Sequence, residues 1–173
     1  MVIACCDSRA DPAIITDSNP GDLFVVRNIA NLVPPFEGDP YHHGTSAALE
    51  YGVKDLEIKD VIILGHSHCG GINALLDDNC TVDHNDFVSS WIDIASTARD
   101  KVLKEFPNAT HDEKVHICSK QSLVISLENL KTFPWIKKSV DENNLFLHAW
   151  FFNLETGFIE IYDEANDKFI VLE

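Results

Sequence analysis

The sequence predicts an α/β fold: one domain over residues 1–173, with a mainly parallel central β-sheet flanked by helices. Three observations carry this. Short apolar runs alternate with stretches of helical character, the order that builds parallel sheets with crossover helices. The runs MVIAC (1–5), LFVV (23–26) and DVIIL (60–64) are apolar at successive positions, as strands covered on both faces are. No repeat or low-complexity linker divides the 173 residues, a length that suits one core.

The elements follow in order. A strand over 1–5 leads to a short helix over 12–15, which Pro12 favours at its first turn. Asn19-Pro20-Gly21-Asp22 is a turn before the second strand, 23–26. Residues 31–39 form a loop marked by Pro34, Pro35 and Gly38, and a helix spans 44–56. The third strand, 60–64, runs straight into Gly65-His66-Ser67-His68-Cys69-Gly70-Gly71 and a helix over 72–76. Phe87, Trp91, Ile94, Ala95, Ala98, Val102 and Phe106 recur three or four apart, predicting a helix over 86–106 that Pro107 stops. Helices over 112–130 and 134–140 follow, then strands over 145–152, 158–162 and 169–172.

Charge narrows the partners. The chain carries 13 Lys and Arg against 28 Asp and Glu, a formal net charge of −15. Phosphate backbones and anionic membrane surfaces both need cationic protein, so neither nucleic acid nor membrane is an expected partner. No apolar run approaches the roughly 20 residues that span a bilayer, and no secretory signal pattern opens the chain. A cytoplasmic setting is expected, with an organelle matrix as the other option. Five cysteines, an odd number in a chain of this size, argue against a disulfide framework.

Ligands of parallel sheets sit beyond the carboxyl ends of the strands. Both unusual motifs lie there: Cys5-Cys6-Asp7-Ser8-Arg9 after the first strand and His66 to Gly71 after the third. Cys5, His66 and Cys69 make a plausible three-ligand Zn2+ set, because zinc favours thiolate and imidazole and catalytic sites leave a position open. Spacing alone also admits buried structural thiols. Asp7 and Arg9 alternate with Cys5, so an extended segment would project all three one way. They form either a surface ion pair or a carboxylate held ionised beside a metal site.

The chain resembles the beta-class carbonic anhydrases over nearly its whole length. The resemblance rests on Cys5-x-Asp7-x-Arg9, the run from Gly21 to Asn31, the run from Gly44 to Tyr51, and Gly65-His66-x-x-Cys69-Gly70-Gly71. A weaker match covers Phe133-Pro134-Trp135-Ile136 and the aromatic strand after His148. It implies a zinc lyase that reversibly hydrates carbon dioxide to bicarbonate and a proton through zinc-held hydroxide. It assigns one Zn2+ to Cys5, His66 and Cys69, with Asp7 as a fourth ligand in a closed state, and makes Asp7 and Arg9 the catalytic dyad. Phe24, Ile29, Tyr51 and Gly70 then belong to the substrate pocket, partly across a subunit boundary, in a homodimer or dimer-based higher oligomer.

The match is to the plant-like, open type, since Val2 and Ala10 stand where one bacterial subclass builds an inhibitory bicarbonate pocket. Members carry helices before the first strand that embrace the partner, and the strand here starts at Met1. That departure raises a second expectation, a zinc-holding protein without activity. A serine hydrolase using Ser67 is the rival from other chemistry, since Gly65-His66-Ser67 begins a G-x-S-x-G elbow; Cys69 breaks that pattern. Carbonyl sulfide and carbon disulfide would suit the same residues. His42, His43 and His68 are candidate proton carriers or plain loop histidines. Cys6 is expected to be a spare thiol, and Cys80 and Cys118 packing or surface residues.

Overall fold

A computed structural model describes residues 1–39, 41–77 and 86–172. The strands are β1 (Val2–Cys5), β2 (Val25–Asn28), β3 (Asp60–His66), β4 (Phe146–Phe152), β5 (Ile159–Asp163) and β6 (Lys168–Val171). The helices are α1 (Pro12–Ile15), α2 (Gly44–Glu50), α3 (Gly70–Leu75), α4 (Phe87–Ile92), α5 (Ser96–Glu105), α6 (His111–Thr132) and α7 (Pro134–Asp141). The six strands lie in the order β2-β1-β3-β4-β5-β6. The first four pair in parallel, and β5 and β6 return antiparallel through tight turns. The predicted α/β architecture with a mainly parallel sheet is therefore present.

The order 2-1-3 places the site. From β1 the chain crosses to β2 on one side and then returns to β3 on the other, so strand order reverses at β1. Ligand crevices of open α/β sheets open at such a reversal, beyond the carboxyl ends. Here those ends are Cys5 and His66.

One sheet face carries Ile3, Val61, Ile63, Ala149 and Phe151, covered by Leu123, Leu127 and Leu130 of α6 and Ile136 of α7. α6 begins with a capping box between Thr110 and Glu113 and presents Ser119, Ser122 and Ser126 among its buried residues. Small residues let it approach β3 closely: a side chain on Gly65 would start 3.1 Å from Leu123. The opposite face holds Val2, Ala4 and Leu64, with Ile15, Leu23, Ile62, Trp150 and Phe152 partly buried around them. A third cluster, including Cys5, Cys69, Ile72, Ile92, Ala98 and Val102, packs beyond the carboxyl ends.

The structure departs from the sequence expectations in several places. β2, at the sheet edge, is not covered on both faces as expected: Val25 is exposed and Val26, Arg27 and Asn28 are half-buried. The predicted helix over 86–106 is two helices, broken by a tighter turn at Asp93–Ala95. A 3₁₀ turn advances by about 3.0 residues rather than 3.6, so the apolar stripe changes phase there. Of the predicted stripe Ala95, Ala98 and Val102 are in the core, Trp91 and Ile94 are half-buried, Phe87 is 93% exposed and Phe106 is also exposed, while Ile92, outside the stripe, is buried. The predicted helix over 44–56 is α2 followed by a wider turn at Tyr51–Asp55. Among the described residues, no helix is long and apolar enough to cross a membrane.

Candidate metal centre

β1 ends at Cys5 and β3 at His66, and Cys69 is the N-cap of α3, so three separate backbone ends converge. The donor atoms of Cys5, His66 and Cys69 all lie within 4.8 Å of one another, and all three residues are buried. The two sulfurs are 4.0 Å apart. His66 Nδ1 lies 2.8 Å from the Ser67 carbonyl oxygen. A carbonyl only accepts, so Nδ1 carries the proton and Nε2 presents a bare lone pair. That Nε2 is fully buried and has no hydrogen-bond partner. A buried acceptor without a partner is costly, and a cation between it and two sulfurs removes the cost. The residues present therefore fit a thiolate- and imidazole-binding dication such as zinc.

The sulfurs are prepared for negative charge. The backbone amides of Asp7 and Ala30 favour a thiolate at Cys5, and those of Gly71 and Ile72 favour one at Cys69. The Cys69 hydrogen bond pulls the Cys5 thiol down to about 4, while that same neighbour and burial push Cys69 strongly up. Two adjacent buried thiolates repel, so the pair keeps one proton until a cation compensates both.

Close approach of two loops makes this geometry possible. After β2 the chain turns sharply at Ile29–Asn31, with Ala30 at φ 60° and Asn31 at φ 50°. The Asn28 side chain closes the turn, accepting from Leu32 N–H and donating to the Leu32 carbonyl. Trp91 Nε1 donates to the Ile29 carbonyl at 2.8 Å. A Cβ on Gly71 would lie 2.8 Å from Ile29 Cγ2 and 3.0 Å from Ala30 Cβ, so only glycine fits there.

Asp7 and Arg9 lie on a turn, not on the extended segment expected from their alternation with Cys5. The turn brings them together instead. Arg9 Nε donates to Asp7 Oδ1 at 3.0 Å and Nη2 to Oδ2 at 2.7 Å, and the Arg9 amide also reaches Oδ1. The guanidinium holds the Asp7 carboxyl well below the usual carboxylate range. A carboxylate so held is an acceptor only.

Beside Cys6 and Ile29 opens a groove of about 480 Å³, lined also by Thr45, Phe87, Val88 and Trp91. Phe24 and Tyr51 do not line it. Phe24 precedes the Val2–Val25 pair, at the opposite end of β1 from Cys5, and its ring packs 6.0 Å from that of Tyr51. Gly70 opens α3, with free space where a side chain would be. Val2 and Ala10 are both buried.

Ser67 does not suit a nucleophile. It is 3% exposed, and its hydroxyl accepts the Leu154 amide at 2.9 Å. His148, the late histidine a triad would have needed, pairs instead with Asp60. His68 pairs with Glu155 at 3.0 Å, His43 pairs with Asp39 at 2.7 Å, and His42 is exposed. Cys6 is exposed and free, Cys118 is buried and free, and Cys80 lies outside the described residues.

Residues 1–159 match the family model described as carbonic anhydrase. The solved structure of the beta-carbonic anhydrase CcaA superposes with a TM-score of 0.91 at 34% identity, covering 99% of this chain and 82% of that one. The chain belongs to the beta-carbonic anhydrase family. A family member in Arabidopsis thaliana, the chloroplastic beta carbonic anhydrase 5, is 40% identical over 153 residues, covering 88% of this chain and 50% of the relative. The carbonic anhydrase of Synechocystis is 34% identical over 170 residues, covering 98% of this chain and 61% of that protein. The chain thus spans between half and two thirds of these curated relatives. A tetrameric beta-carbonic anhydrase of Sordaria macrospora matches with a TM-score of 0.81 at 31% identity, over 92% of this chain and 78% of that one.

Within this family site, several contributors are not legible from motif chemistry alone. Arg27, Asn28, Trp91 and Asp11 act through backbone carbonyls and turns, and they carry no ligand or nucleophile pattern. The signals available for Arg27 are its rarity, since only three arginines occur and two fall in the first 27 residues, and its place in the run from Gly21 to Asn31 that carries the resemblance.

Proposed function

We propose that the chain reversibly hydrates carbon dioxide to bicarbonate and a proton, with one Zn2+ held by Cys5, His66 and Cys69. The observation that carries this is the orphaned His66 Nε2, buried within 4.8 Å of two cysteine sulfurs in a chain of this family. Zinc in such a donor set supplies Lewis acidity that makes water a nucleophile near neutral pH.

The chain's own groups account for the rest. Asp7, kept ionised by Arg9, accepts a hydrogen bond from the attacking water and so orients its lone pair towards the substrate carbon. Arg9 spends both Nε and Nη2 on that carboxylate, which holds it in one orientation. The apolar walls beside Ile29 suit an uncharged linear gas and favour release of a charged product. The Gly70 amide, at the start of α3, serves to place substrate. Phe24 and Tyr51 lie away from their own Cys5, so their role in the pocket would be to complete a neighbouring subunit's site in a dimer-based oligomer. Cys5 and Cys69 can hold zinc only when reduced, which suits a reducing compartment, whether cytoplasm or organelle matrix.

Stopped-flow CO2 hydration by zinc-loaded protein, beside a chelator-stripped control, tests the reading. A zinc-dependent rate is expected. Stoichiometric zinc with no rate above buffer overturns it and leaves the zinc-holding alternative.

A further inference from the structure

We propose that Arg27, oriented by Asp11, is a positioning residue for this reaction: it fixes the backbone of residues 5–10 and thereby the Asp7–Arg9 pair relative to Cys5. The inference rests on the function proposed above. The regular structure has a gap beside Cys5. Residues 6–10 lie between β1 and α1 and belong to neither strand nor helix, yet they carry Asp7 and Arg9 and follow directly on Cys5. Their backbone ties are few: the Cys6 amide donates to the Asn28 carbonyl at 2.8 Å and the Ala10 amide to the Asp7 carbonyl at 3.1 Å.

The guanidinium of Arg27 fills that gap. Nε donates to the Cys5 carbonyl at 2.9 Å. Nη2 donates to the Asp7 carbonyl at 2.6 Å and, more weakly, to the Ala10 carbonyl at 3.5 Å. Nη1 donates to Asp11 Oδ2 at 2.8 Å. Three carbonyl dipoles converging on one point repel unless a cation with several donors sits among them. Arginine alone offers a permanent charge with five N–H groups in a rigid plane.

The clamp is anchored at both ends. Arg27 is opposite Ala4 in the β1–β2 ladder, so its backbone has the rigidity of the sheet. Asp11 caps α1, its Oδ1 accepting from Ala13 and Ile14, while its Oδ2 holds the guanidinium. The position of α1 thus sets Asp11, Asp11 sets the plane of Arg27, and Arg27 sets the carbonyls on either side of Cys6. Asp7 is divided between two arginines: Arg27 holds its carbonyl and Arg9 its carboxylate. An ion pair serving stability alone needs only Asp11, and the carbonyl contacts are what tie the pair to the reaction geometry.

The full chain is compared with Arg27→Gln, Arg27→Lys and Asp11→Asn. Misplacement by about 1 Å can cost up to about 100-fold in rate, so Arg27→Gln is expected to lose about 10- to 100-fold in kcat with KM within about twofold. Lysine keeps the charge but not the fork, so Arg27→Lys also keeps its zinc and does not recover kcat. Asp11→Asn loses about threefold to tenfold. The readout independent of activity is the visible spectrum of the Co2+-loaded protein. Its ligand-field bands are expected to shift in the variants, while one Co2+ per chain and thiolate-to-cobalt charge transfer persist.

Unchanged kcat and unchanged bands in a folded Arg27 variant overturn the proposal. So does a loss of rate that merely tracks loss of metal. If the Arg27 variants fail to fold, Asp11→Asn decides by the same two readouts. If the parent itself does not hydrate CO2, the proposed function fails, and the cobalt bands still decide the positioning role.

Discussion

Two groups among the described residues bring three metal-capable side chains within 4.8 Å of one another: Cys5–His66–Cys69 and Glu37–Asp39–His43. The first is buried, and its imidazole has a lone pair with no partner. The second sits on the loop before α2, and its imidazole is already spent, with Asp39 at Nε2 and Glu37 3.6 Å from Nδ1. Proximity is the same in both, but unmet need differs. Exposed carboxylates and a histidine satisfy each other and water, so a cation has little to gain there. Buried sulfurs and a bare nitrogen are stable only when something positive joins them. Burial with an unmet acceptor, rather than clustering, singles out the candidate metal centre.

The largest test of that contrast is His66→Ala. Loss of supporting groups alone costs roughly 10- to 100-fold in metal affinity, so loss of a ligand is expected to exceed about 100-fold and abolish CO2 hydration. Asp39→Asn is expected to leave zinc content unchanged by elemental analysis. Retention of zinc by the first and its loss from the second would invert the comparison.

Asp7→Asn comes next. It keeps the shape but adds a donor where an acceptor is required, and kcat is expected to fall about 10²- to 10³-fold with zinc retained. A variant within about threefold of the parent would remove Asp7 from the chemistry.

Glycines sharpen the contrast in packing. Gly71→Ala places a methyl against Ile29 and Ala30 at 2.8 and 3.0 Å and is expected to cost about 1–3 kcal/mol by denaturant melts. It also weakens zinc binding, because Ala30 supplies an amide to Cys5. Gly38→Ala, between Glu37 and Asp39, has Phe36 no nearer than 3.5 Å and is expected to stay within about 0.5 kcal/mol.

The two groups also differ in titration. In the metal-free protein the Cys5–Cys69 pair should hold one proton, with Cys5 the more acidic member. Zinc uptake near pH 7 then releases about one proton per chain rather than two, measurable in weakly buffered solution. The smallest effect is at His43, whose pKa Asp39 raises above the ordinary histidine value. A raised folded pKa stabilises below the unfolded value of about 6.5 and is lost as pH rises through the folded one. An NMR titration should find the shift in the parent and its loss in Asp39→Asn.

Much of the fold was legible because short-range pattern carries it. The apolar runs at 1–5 and 60–64 are strands, and Pro12 and Pro134 open helices as their fixed φ allows. Where a pattern had to persist through a backbone irregularity, it misled. The stripe from Phe87 to Phe106 crosses the turn at Asp93–Ala95, which leaves Phe87 in solvent. At the site, side-chain chemistry was legible and geometry was not. Asp7 and Arg9 meet through a turn that alternation along an extended chain would not produce.

The α/β order of elements, the two motifs at strand ends and the residue types that suit zinc can all be read along the chain. Those are matters of spacing and composition, which a chain carries before it folds. Only the tertiary structure decided that Cys5, His66 and Cys69 converge at the reversal of strand order, and that His66 keeps a bare, buried nitrogen. It alone placed Phe24 and Tyr51 at the far end of the sheet and brought Arg27 onto the carbonyls of Cys5 and Asp7. The physical reason is that every residue has a carbonyl, so a side chain that works by holding backbone leaves no mark in the sequence of what it holds.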